Sequence, residues 1–132
     1  MLISHSTVGS VIARARPLLV AAVLFAVAAS TAFAGTSTFG PQDWPNGQQS
    51  GRYRAATGAH HIKPSGCTGQ KSVELRLDII GGDDNGYGTH VITCGSSSTW
   101  TNIPSSNGSQ FRGNFMQTHS ADWFGTLADT HA

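Results

Sequence analysis

Glu74 and Arg76 stand two residues apart in a stretch that alternates apolar and polar side chains, so they share one face of a strand. A carboxylate that takes a proton, an arginine that holds a phosphate and a histidine nearby are the parts of a ribonuclease-like site on a sheet surface. His90, on the next apolar run, completes such a set as Glu74, Arg76 and His90. The bland alternative is a solvated strand face on which Glu74 and Arg76 pair with each other.

Five histidines lie outside the leader described below: His60, His61, His90, His119 and His131. Adjacent His60 and His61 in an extended chain point to opposite faces and do not grip one metal together. No His-x-His or His-Glu-x-x-His spacing occurs, so no zinc site is expected. The run Gly81-Gly82-Asp83-Asp84-Asn85-Gly86-Tyr87-Gly88 opens like a calcium loop, yet Cys94 stands where the twelfth-position Glu belongs. Asp, Asn and Gly are also what a hairpin loop needs, and the expectation is no metal and no cofactor. Nucleophilic hydrolysis has no Gly-x-Ser-x-Gly elbow to rest on, and both cysteines are wanted for a disulfide.

Aromatic residues offer recognition instead of catalysis. Trp100 and Trp123 alternate in phase with apolar neighbours and read as core. Trp44 and Tyr87 fall in breaker-rich stretches, and exposed loop aromatics are the better binding candidates.

These residues must be positioned by a hairpin running from Ser72 to Cys94. Val73, Leu75, Leu77 and Ile79 alternate with Glu74, Arg76 and Asp78, and a β-branched run, Thr89 to Thr93, follows the glycine-rich middle. With Gly81 to Gly88 as the loop, Ile79 lies opposite His90 and Leu77 opposite Ile92. Leu75, Leu77, Ile79, Ile92 and Cys94 then face the core, and Glu74, Arg76, Asp78, Val91 and Thr93 face outward. This register sends His90 to the face opposite Glu74, so His60 or His61 would have to take its place in the site. Cys67 and Cys94 are the two cysteines of the chain, and in an exported protein they read as one disulfide across the hairpin's open end.

Arg14, Arg16, the apolar run Leu18 to Ala29 and the small-x-small sequence Ala32-Phe33-Ala34 read as a signal peptide of bacterial type over 1–34. Its apolar run falls short of the roughly 20 residues a membrane span needs. Residues 35–50, with two prolines and several glycines, read as an arm or loop, and 51–132 as a β-domain. Within it, Gly51 to Ile62, Ser72 to Ile79, Thr89 to Cys94, Thr99 to Ile103, Gln110 to Gln117 and the stretch from Trp123 read as strands, and Lys63-Pro64-Ser65-Gly66 as a turn. About six short strands with turns between them indicate an all-β antiparallel sandwich or small barrel.

Of the eight basic residues, Arg14 and Arg16 lie in the leader, which leaves six against seven acidic ones and a net charge of −1. That balance argues against nucleic acid, or an anionic membrane after cleavage, as a partner held by bulk charge. The sequence therefore points to a small secreted β-domain that binds an extracellular protein or glycan, with a ribonuclease-like hydrolase and a carbohydrate- or cell-wall-binding module as the competing readings.

Overall fold

The computed structural model describes residues 35–132, and the leader with its cleavage site lies outside them. Seven strands build two antiparallel sheets. One sheet runs in the order β1 (Gly35–Trp44), β7 (Trp123–His131), β2 (Gly58–Ser65), β5 (Ser98–Ile103). The other has β3 (Gln70–Ile79) at its centre, flanked by β4 (Asn85–Thr93) and β6 (Phe111–Thr118). The inward residues of both sheets interdigitate. Ile62, Leu127, Trp44 and Trp123 from one sheet meet Val73, Leu75, Ile92 and Met116 from the other. Trp100 and Trp123 are core residues, as their phase indicates.

The hairpin forms with a shorter loop than its composition suggests. Strand β4 already begins at Asn85, so Ile92 lies opposite Lys71 instead of Leu77, and His90 opposite Val73 instead of Ile79. The slide is an even number of residues, so each side chain keeps its face. Leu75, Leu77 and Ile92 are buried, whereas Ile79 and Cys94 are only partly so. Between the pairs Glu74–Thr89 and Arg76–Gly86, β4 carries one residue more than β3, a bulge that accommodates Tyr87 and Gly88. Glycine here continues the strand, because the outward face needs it. A Cβ on Gly86 would run into the Glu74 carboxylate and lie 3.0 Å from Arg76 Nη1.

Three further segments differ from their sequence reading. Residues 35–44 form a ten-residue strand instead of an arm or loop. Being at the sheet edge, β1 tolerates Pro41 beside a bulge between Phe39 and Gln42. Residues 51–57 are not a regular strand: single bridges join Gln49 to Gln117 and Tyr53 to Asn114, so residues 47–53 cover the free edge of β6. The supposed turn at Lys63-Pro64-Ser65 is the end of β2, where Pro64 still pairs with Leu127 but lies past the last β5 partner of β2, Ser98. There the Pro64 carbonyl accepts from Gly95 N–H at 2.7 Å. Proline survives in this strand because its missing donor falls where a neighbour has already ended.

Cys67 and Cys94 are joined, with Cα atoms 5.8 Å apart. The bond lies just beyond the last hairpin pair, Gln70–Thr93. Cys67 packs against the core cluster, so the staple and the apolar layer form one unit.

Candidate functional site

Three constellations carry polar chemistry, and they differ in how open they are. The first is sealed. Asp129 of β7 is fully buried, and one of its oxygens, Oδ2, accepts from both Tyr53 O–H and His60 Nδ1–H at 2.5 Å each. His131 stacks on Tyr53 with ring centroids 5.3 Å apart, and its Nε2 meets Ser37 Oγ at 2.9 Å. Burial first, then the Asp129 charge and hydrogen bond, pushes the Tyr53 phenol well above its usual range. His60 Nε2 and Asp129 Oδ1 have no hydrogen-bond partner among the described residues. The cluster is completed by residues from β1, β2 and β7 and the 51–57 segment, which makes it a tie between elements.

The second constellation lies on the outward face of β3. Glu74 bridges two groups: Arg76 Nη1 donates to Oε2 at 2.8 Å, and His119 Nε2 lies 2.9 Å from Oε1. One step along the strand, Arg52 Nε donates to Asp78 Oδ2 at 2.8 Å while the guanidinium sits 3.8 Å above the Phe115 ring. A histidine thus joins Glu74 and Arg76, but it is His119, immediately after β6. His90 is on the other face, stacked on Trp100 at 3.7 Å with Nδ1 2.7 Å from Ser98 Oγ. His60 is committed to Asp129, and His61 Nδ1 lies 2.8 Å from Thr99 Oγ1. Among the described residues no group of three His, Cys, Asp or Glu side chains converges as a metal site.

The third is an open groove where the end of β1 meets the start of β7. Asp43, Trp44, Pro45, Asp122, Trp123 and Phe124 line a space of about 480 Å³. Register sets its layout. Asp43 pairs with Phe124 and Trp44 with Trp123, so alternation turns the two tryptophans inward and leaves Asp43 and Phe124 side by side on the outer face. Phe124 is 57% exposed. Behind it, Trp44 and Trp123 stack with centroids 5.8 Å apart, and Trp44 Nε1 donates to the Gly125 carbonyl at 3.0 Å. Asp122 is held in place as its Oδ1 accepts from Asn46 N–H at 3.0 Å.

Trp44 therefore backs the groove from a fully buried position instead of standing in a loop. Tyr87 is half-buried in β4, packed against the core, and is not among the groove's lining residues. Sequence reasoning passed over Asp43, Asp122 and Phe124. The available signal was a dipeptide that occurs twice, Asp43-Trp44 and Asp122-Trp123, near the ends of segments that pair.

Fold and staple define the class: a disulfide-bonded antiparallel β-sandwich of seven strands. No family model and no curated protein matches the chain. Among solved structures it is similar to one described as "Bacillus endospore appendages form a novel family of disulfide-linked pili", at 13% identity and a TM-score of 0.36, over 76% of this chain and 88% of that one. A TM-score of that size does not establish a common fold.

Proposed function

We propose that this protein is an extracellular recognition domain that binds carbohydrate in the groove between β1 and β7. The observation that carries the reading is Phe124, a large aromatic ring left 57% exposed beside the carboxylates of Asp43 and Asp122. An apolar ring that stacks on a sugar face, flanked by a few acceptors for its hydroxyls, is the usual economy of a small-ligand site, and about 480 Å³ is room enough for one. Trp44 and Trp123 stiffen the floor from behind, so the ring is presented by two paired strands and not by a mobile loop. The disulfide suits a protein working outside the cytosol.

Retention on insoluble polysaccharides and isolated cell walls tests the reading. Phe124→Ala should abolish retention with little change in melting temperature, because the ring is solvent-facing. Retention unchanged in that variant would remove the groove from the function.

The contact of Glu74 with Arg76 and His119 favours a second reading, phosphodiester hydrolysis on the outer face of β3. Here Glu74 would serve as base and Arg76 would hold the phosphate. RNA turnover that falls on Glu74→Gln would move the function there. Retention lost on Phe124→Ala, with no turnover by the parent protein, would keep it in the groove.

A further inference from the structure

We propose that the groove selects carbohydrate carrying a free ammonium group, an amino sugar in its deacetylated form; the inference rests on the carbohydrate reading above. The argument is charge complementarity. Three of the acidic residues in the described part are already answered: Glu74 by Arg76 and His119, Asp78 by Arg52, Asp129 by His60. Asp43, Asp83, Asp84 and Asp122 make no ion pair among the described residues, and of these four it is Asp43 and Asp122 that line one groove. Asp122 spends Oδ1 on Asn46 N–H, which leaves Oδ2 for a ligand. Asp43 is exposed and stands directly across from Phe124.

Among the described residues no basic side chain lines the groove. Lys71, whose Nζ lies 5.5 Å from the Trp123 ring centroid, is not among its lining residues. A neutral sugar would satisfy the ring and leave the two carboxylates of the groove without an ion-pair partner. A sugar with an ammonium substituent satisfies both, since the ring face meets Phe124 while the cation meets the carboxylates and the negative face of the aromatic ring. The acetylated form of the same sugar loses the charge and adds an amide that neither carboxylate needs.

Calorimetric titration of the disulfide-bonded protein at low salt and mildly acidic pH separates these cases. The ligands are the tetramer of glucosamine, the tetramer of N-acetylglucosamine, and trilysine. The glucosamine tetramer should bind about tenfold more tightly than the acetylated one, the size expected when two exposed carboxylates each add a modest ion pair. The preference should fade as salt is raised and vanish in the Asp43→Asn, Asp122→Asn double variant. The single Asp43→Asn variant serves if Asp122 proves necessary for the Asn46 turn, and it should lose part of the preference.

Equal or tighter binding of the acetylated tetramer overturns the charge selection and leaves the carbohydrate reading intact. So does a preference that persists in the double variant. Trilysine binding as tightly as the amino sugar shows that charge alone is read, which overturns the proposal as well. Failure of both tetramers overturns the proposal too. If polysaccharide retention then persists, the carbohydrate reading stands, and if retention is also absent, both fall.

Discussion

Asp129 ties two segments of this fold together, because one buried carboxylate oxygen holds a donor from each. Asp129→Ala would leave Tyr53 O–H and His60 Nδ1–H buried without an acceptor, a change that typically costs about 3–5 kcal/mol. For a domain of this size that is a large share of its stability, and chemical denaturation should show a midpoint well below that of the parent. Tyr53→Phe is gentler and removes one charge-assisted hydrogen bond at about 2 kcal/mol. The same residue sets an alkaline limit. Above about pH 10 an unfolded tyrosine gives up its proton, whereas burial and Asp129 make native Tyr53 keep it. The native state then binds more protons than the unfolded one, so stability falls as pH rises past that point. Melting temperature measured against pH should descend there in the parent and descend less in Tyr53→Phe. Parallel curves for the two proteins would show that Tyr53 is not the group responsible.

At the scale of elements, the hairpin and its staple act together. Reducing Cys67–Cys94 frees a loop of sequence separation 27, worth about 3.5 kcal/mol in the chain-entropy picture. It also releases Cys67 from the core cluster, so the Cys67→Ser, Cys94→Ser variant should melt well below the parent. A native protein that titrates two thiols would end this account. Strand β6 has its own sensitive point at Gly113, with φ at +132° and the Tyr53 carbonyl 2.6 Å from where a Cβ would sit. Gly113→Ala should cost about 3 kcal/mol, read by denaturant titration, because backbone lies in the way and not a side chain that can turn aside. The inward and outward faces of β3 and β4 were legible in the sequence, since alternation encodes parity. Their register was not, because Asn85-Gly86-Tyr87-Gly88 looks like loop chemistry while it belongs to a bulged strand. Strand β1 was hidden for a related reason: glycine and proline are tolerated at an edge where one side of the ladder is empty. The Glu74–Arg76 pair could be read from spacing. The partner histidine, His119, is 45 residues away and is brought in only by pairing of β3 with β6. The groove was less accessible still, because its two Asp-Trp dipeptides become neighbours only once β1 is recognised as a strand.

For the molecule as a whole, we propose that residues 1–34 are removed on export, so that mass spectrometry of secreted protein should find Gly35 at its amino terminus. That cut would leave the whole of β1 in place. A retained leader on exported protein would instead tether the domain to a membrane. The sandwich also has boundaries where strands lack a neighbour, and each one is interrupted. The outer side of β6 is covered by residues 47–53, β1 is broken by its bulge beside Pro41, β4 carries a second bulge at Tyr87–Gly88, and β5 is only six residues long before Pro104. An unbroken strand at such a boundary would be a template on which another chain could lay itself down. With Ile80, Val91 and Phe124 the large apolar side chains left exposed among the described residues, and little net charge to keep copies apart, these interruptions carry much of the burden of colloidal behaviour. Concentrated solutions should scatter light as single particles, and a variant that straightens β4 by deleting one residue of its bulge should gelate or form fibres first.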